Sequence, residues 1–168
     1  MTLNIRTHTP DDLPVISTLC WAYRDLLVER NADFAEMLDL YYAKDSYNDL
    51  IADLPRIHAR PKGDILVAER ADAVVGCAMY YEIAPGTCEI KRVFVSEAAR
   101  GSGAGRALMR AGLDAAKADG YTRMVLDTVH TLPEAIALYE AMGFAPCAPF
   151  YEPDPRFIAH LRFFDITL

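Results

Sequence analysis

Three glycines separated by single residues, Arg100-Gly101-Ser102-Gly103-Ala104-Gly105, divide two segments of opposite pattern. Cys88 to Val95 upstream reads as a strand, and Arg106 to Asp119 downstream reads as a helix. The first amides of a helix lack intrahelical partners and its dipole favours an anion there, so a strand, a glycine turn and a helix start together make a phosphate-binding place. Glycine adds positive φ and a close backbone approach. A plain turn between strand and helix uses one or two glycines rather than three. A P-loop carries Lys-Ser/Thr after its last glycine, whereas Arg106-Ala107 follows here. A dinucleotide loop is spaced Gly-x-Gly-x-x-Gly, which this segment is not.

The chain has 168 residues, a length that suits one domain spanning residues 1–168. Apolar residues make up 52% and charged residues 24%, which favours a packed core over disorder. A net charge of −7 argues against nucleic acid as a partner. Cys20, Cys77, Cys88 and Cys147 show no C-x-x-C spacing, and the four histidines complete no metal motif. The expectation is reduced, mostly buried thiols, no metal and a cytoplasmic location. Met1 to Pro10 holds no apolar leader core, and no apolar run approaches the roughly 20 residues of a membrane span.

Leu3 to Thr7 reads as a strand, followed by a capped helix start at Thr9-Pro10-Asp11-Asp12. The helix it opens carries Leu13, Ile16, Leu19, Cys20, Tyr23, Leu26 and Leu27 on one stripe. A less regular helical zone covers about Ala32 to Ala59, ended by Pro61-Lys62-Gly63. Ile65 to Glu69 and Val74 to Ile83 read as a hairpin about Arg70 to Ala73, and Pro85-Gly86 turns the chain into the Glu89 strand. After the glycine loop and its helix come a strand at Met124 to Val129 and a second capping box, Thr131-Leu132-Pro133-Glu134. The helix with Ile136, Leu138 and Tyr139 runs to Gly143, and Ala145 to Tyr151 and Phe157 to Leu168 read as the last strands. The central strand–loop–helix–strand unit requires a parallel pair and the hairpins require antiparallel ones. The fold class is mixed α/β: a mostly antiparallel twisted sheet of about seven strands flanked by about four helices.

With these residues in place, the chain resembles the GNAT superfamily of acyl-CoA-dependent N-acetyltransferases. Arg100-x-x-Gly103-x-Gly105 matches that family's Gln/Arg-x-x-Gly-x-Gly/Ala loop, with Val93-Phe94-Val95 just upstream. Ala135 to Phe144 matches its later helix, in which a tyrosine stands four residues before Gly-Phe. The resemblance implies that the backbone of Gly101, Ser102, Gly103, Ala104, Gly105 and Arg106, beside Arg100, holds the pyrophosphate of acetyl-CoA. It also implies that Val93, Phe94 and Val95 receive the pantetheine arm in a gap between the Glu89 and Met124 strands, and that Tyr139 protonates the departing thiolate. Homodimerisation is implied by the same likeness. Glu97 stands where many members have proline, and Leu132 where many have asparagine, which removes a polar contact beside the arm.

The candidate residues each admit a plainer role. Tyr139 is either the acid or a core aromatic whose hydroxyl finds a partner. Its use as an acid rests on a phenol near 10 facing a thiol near 8.5. Period-2 alternation places Glu89, Lys91, Val93 and Val95 on one strand face, with Cys88 on the other. Glu89 is then either the base that takes the amine's proton or the partner of Lys91 or an arginine. His130 lies at a strand's C-terminal end, where sites gather, although a loop histidine is commonly just solvated. Asp127 and Glu82 are weaker candidates. Tyr23, Tyr41, Tyr42 and Tyr47 either line an acceptor pocket or pack half-buried, packing being the more ordinary outcome. The expected function is transfer of an acetyl group from acetyl-CoA to a primary amine, on a small molecule or peptide, by direct attack in a ternary complex. The alternative is a non-catalytic acyl-CoA sensor that keeps the loop.

Overall fold

The computed structural model describes residues 2–168; Met1, the first residue of the segment read as leaderless, lies outside them. Seven strands form one sheet: β1 (Leu3–Thr7), β2 (Asp64–Arg70), β3 (Ala73–Ala84), β4 (Thr87–Val95), β5 (Arg123–Val129), β6 (Ala145–Pro146) and β7 (Leu161–Thr167). Their order is β1-β2-β3-β4-β5-β7-β6, and only β4 and β5 run parallel. The helices are α1 (Leu13–Arg30), α2 (Ala35–Tyr41), α3 (Lys44–Ile57), α4 (Ala104–Ala118) and α5 (Pro133–Ala141). The helical zone after α1 is thus a 3-10 turn and two helices, broken at Tyr42-Ala43, making five helices rather than about four.

The sheet has a core on each face. α4 and α5 cover one, where Leu66, Tyr80, Ile90, Leu108, Met109, Leu126 and Tyr139 are buried together. α1 and α3 cover the other over Ile65, Val67, Cys77, Met79 and Phe94. A third cluster, including Leu27, Met37, Val129 and Phe163, packs α1 and α2 against the β7 end. The alternating assignment of β2 to two cores explains its unbroken Ile65-Leu66-Val67-Ala68 run, since a strand covered on both faces needs no polar positions.

Two terminal strands are shorter than their sequence pattern. Only Ala145 and Pro146 of the Ala145–Tyr151 run pair with β7, and the segment from Phe157 first makes a 3-10 turn at Ile158–His160. Prolines at 146, 149, 153 and 155 deny the ladder its donors. The second capping box does not form. Leu132 occupies the cap position of α5, while Thr131 Oγ1 donates to Asn31 Oδ1 at 2.8 Å and Glu134 pairs with Arg30 at 3.1 Å. The box at Thr9 does form: Asp12 Oδ2 accepts from the Thr9 amide at 2.7 Å and also pairs with Arg6 at 2.7 Å.

Two features of β4 position the site. Its pairing with β5 is confined to Thr87↔Arg123, Cys88↔Met124 and Glu89↔Val125. Beyond that point β5 stays with β7 up to Val129, and β4 stays with β3 up to Val95, so the two parallel strands part. The second feature is a bulge: Met79 faces Lys91 and Cys77 faces Phe94, which leaves β4 one residue longer, with Arg92 at φ 52°.

Candidate active site

The bulge corrects the face assignment made from alternation. Glu89 and Lys91 lie on the α1 face, while Val93 and Val95 pack with the α4 core, which also holds Cys88. Strict alternation breaks at Arg92, where the extra residue turns every later side chain over. Cys88 thus shares a face with Val93. It remains unsuited to covalent chemistry because it is fully buried and burial pushes its thiol up to about 12.

At the C-terminal end of β4 the glycine loop enters α4. Gly101 and Gly103 take φ 77° and 85°, and a Cβ on either would meet open space. Gly103 is the N-cap, and the first bond of the helix ladder runs from the Ala107 amide to Gly103 O at 3.0 Å. The amides of Ala104, Gly105 and Arg106 therefore precede the ladder and face outward. Ser102 Oγ is buried without a partner among the described residues. The Arg100 guanidinium stacks 5.9 Å from the Phe94 ring, and Arg106 reaches the Met142 sulfur at 3.5 Å. Gly105 packs 3.5 Å (from an ideal Cβ) from Leu138 of α5, which brings the loop against the helix that carries Tyr139.

The parting of β4 and β5 opens a cleft of about 570 Å³. Its walls come from both strands, α1, α2, α5 and the 147–157 segment. Tyr139 lines it with its ring buried against Phe144 and Phe164. Burial, reinforced by the Asp127 charge, pushes its phenol well above the ordinary value. Its hydroxyl has no protein partner among the described residues, unlike the other buried tyrosines: Tyr47 donates to Cys20 O at 2.8 Å and Tyr80 to Asp119 at 2.6 Å. A tyrosine hydroxyl ordinarily finds a partner when buried, so this one is left open to a ligand in the cleft.

Glu89 is 4% exposed and engaged on both oxygens: Tyr81 Oη donates to Oε2 at 2.8 Å and Lys91 Nζ to Oε1 at 2.9 Å. The plainer expectation for this residue, an ion pair with Lys91, is present in the geometry. Burial works against the Lys91 ammonium, but Glu89 and Asp127 outweigh it and hold its pKa above the lysine norm. Asp127 faces the same cleft from β5, accepting from Tyr151 Oη at 2.6 Å. Tyr23 and Tyr42 line the cleft while packing half-buried against two core clusters, Tyr41 lines it from an exposed position, and Tyr47 is core.

His130 and Glu82 fall outside the cleft. His130 is exposed, its Nδ1 3.4 Å from His160 O and its ring 5.2 Å from that of His160, because the turn after β5 carries it past the site. Glu82 is tied to Lys62 at 2.6 Å on the surface. Sequence reasoning missed Tyr81, Arg92 and Tyr151. Tyr81 was findable, since the Pro85-Gly86 hairpin sets it directly across from Glu89. Arg92 depends on the bulge and Tyr151 on an irregular segment, and neither leaves a periodic trace.

Residues 28–144 match the acetyltransferase (GNAT) family model, from the last turn of α1 through Gly143-Phe144 just after α5. The chain belongs to the GNAT acetyltransferase family. It is an acyltransferase. An IAA acetyltransferase of Azospirillum brasilense is 40% identical over 120 residues, covering 70% of this chain and 76% of its own. An uncharacterised N-acetyltransferase of Schizosaccharomyces pombe is 34% identical over 117 residues, 68% of this chain and 72% of its own. In fold, the chain is similar to the PaiA N-acetyltransferase of Thermoplasma acidophilum, solved in complex with coenzyme A, with a TM-score of 0.74 at 17% identity over 100% of both chains. The seven-stranded, mostly antiparallel open sheet is the GNAT architecture.

Proposed function

We propose that this GNAT protein transfers an acetyl group from acetyl-CoA to a primary amine by direct attack in a ternary complex. The observation that carries the proposal is the parting of β4 and β5 just beyond Glu89 and Val125, which opens a tyrosine-lined cleft beside the strand that leads into the glycine loop. The residues fit the donor. Loop positions where a Cβ meets nothing, helix amides ahead of the ladder and the orphaned Ser102 hydroxyl together make a cradle for a pyrophosphate. The edge of β4 from Ile90 to Val95 carries no β5 partner, and its backbone groups suit strand-like addition of a pantetheine arm.

Bound acetyl-CoA would supply an electrophilic thioester carbonyl and a thiolate leaving group. The chain's residues supply the rest. Backbone N–H groups near Val93 to Val95 polarise the carbonyl oxygen. An attacking amine must first lose a proton. Glu89 has both oxygens engaged, so Asp127, with only Oδ2 bonded among the described residues, is the better-placed acceptor on that face. As the carbon–sulfur bond breaks, Tyr139 gives its hydroxyl proton to sulfur. The raised phenol is compatible with this step, because burial raises a thiol in the same slot in the same sense.

The test is calorimetry with acetyl-CoA and with ATP, followed by free-thiol release over a panel of amines. Acetyl-CoA binding, no ATP binding and amine-dependent thiol release are expected. Acetyl-CoA binding with no turnover of any amine would instead favour the sensor.

A further inference from the structure

The two walls of the cleft differ in charge. β4 presents Lys91 and Arg92, and β5 presents Asp127. Lys91 is neutralised by Glu89 at 2.9 Å. No carboxylate pairs with Arg92 among the described residues, and its Nε is buried without a hydrogen-bond partner, the nearby Tyr47 hydroxyl being given to Cys20 O. This guanidinium is held inward by the bulge: Arg92 carries φ 52°, a conformation disfavoured for its side chain, and the Cys77 thiol contacts its carbonyl oxygen at 3.5 Å. A bulge that re-aims one side chain beside an active site is a common functional use of the device. Among the described residues Asp127 hydrogen-bonds only to the neutral Tyr151, while its charge also acts on Lys91 on the opposite wall. A guanidinium without a carboxylate and a carboxylate without a direct salt bridge thus stand on opposite walls. A buried guanidinium nitrogen without an acceptor is unfavourable, and a planar carboxylate satisfies it with two parallel bonds.

We propose that the acceptor is an amine that also bears a carboxylate, an amino acid or a peptide ending in one, with Arg92 holding the carboxylate and Asp127 facing the amino group. This rests on the acetyl-transfer function proposed above and names its substrate class. The rest of the cleft wall points to the body of that substrate: Tyr23, Tyr42, Tyr81 and Phe150 offer apolar ring surface. An aromatic or large apolar side chain suits them.

Matched acceptors test the idea: phenylalanine, its methyl ester and phenethylamine, each followed by thiol release. The expected result is a kcat/KM for phenylalanine roughly 10- to 100-fold above either carboxylate-free amine, the range of a charge-assisted bond to arginine. The Arg92→Gln variant should bring that ratio close to one, chiefly through KM for phenylalanine, and Arg92→Lys should restore part of it. Thermal melts confirm that the variants fold. Calorimetry of N-acetylphenylalanine against the protein saturated with coenzyme A gives a readout free of turnover, and Arg92→Gln should weaken that binding by a similar factor. Equal turnover of acid and amines by the unaltered protein would overturn the proposal, as would product affinity indifferent to Arg92. If no amine releases thiol, acetyl transfer fails, while the calorimetric arm still decides whether Arg92 binds a carboxylate.

Discussion

Two residues carry opposite halves of the proposed chemistry, and substitution separates them. Tyr139 lines the cleft and its hydroxyl has no protein partner among the described residues, so Tyr139→Phe removes a proton and little packing. It should lower kcat by about 10²- to 10⁴-fold, the usual worth of a positioned acid, while leaving the acetyl-CoA dissociation constant within about twofold. Turnover at the original rate would remove Tyr139 from the mechanism. Gly103 is the reverse case. A Cβ there meets nothing within 4 Å, yet φ is 85°, so Gly103→Ala should destabilise the fold by only about 1–2 kcal/mol through backbone strain. The same change reorients the amides that open α4, and calorimetry should show acetyl-CoA binding weakened at least tenfold, with kcat at saturation less affected. Equal affinity in the two proteins would take the pyrophosphate away from this loop.

Among the elements, β4 decides the site, and it was only half legible. Its existence, its parallel partner and the loop after it follow from hydrophobic alternation ending in three glycines. Its bulge does not, because a one-residue insertion leaves composition and spacing unchanged while reversing the faces of Val93 and Val95. Tyr139 was legible through its fixed distance from Gly143-Phe144, whereas Arg92 and Tyr151 were not. The α2-to-α3 region was read as a single irregular zone because its two helices answer to two different cores, which blurs any single stripe. Gly76 gives the bulge a handle. A Cβ at this position of β3 would lie 2.8 Å from Phe94 O and 3.2 Å from Leu108 Cδ1, so backbone must move. Gly76→Ala should therefore destabilise by about 1–3 kcal/mol in urea melts. Because the displaced carbonyl sits two residues beyond Arg92, it should also raise KM for the acceptor more than that for acetyl-CoA. A KM change confined to acetyl-CoA would show the bulge and the acceptor wall to be uncoupled.

The stability of the whole molecule depends on joining the helical layers to the sheet, and one joint is titratable. His58 follows α3, is 2% exposed, and its Nδ1 donates to the Tyr80 carbonyl of β3 at 2.9 Å. Its Nε2 is buried without a partner among the described residues, so protonation would place an unsatisfied charge in the core. Burial lowers its pKa from 6.5 to about 4 despite the Tyr80 carbonyl, with Arg92 and Lys91 adding to the effect. The unfolded chain therefore binds more protons than the folded one between those two values. Stability is complete above about 6.5 and falls as pH drops towards 4, by on the order of 3 kcal/mol for a shift of this size. The carboxylates held down by arginines, Asp12 beside Arg6 and Asp119 beside Arg60, lose their contribution only below their ordinary value of 3.8. The window above 4 thus belongs largely to His58. Urea midpoints at pH 7.5 and pH 4.5 should differ clearly for the unaltered protein. For His58→Asn, which keeps a donor towards Tyr80 but cannot titrate, the two midpoints should converge, even if both lie lower. An undiminished gap in the variant would assign the acid sensitivity to other groups.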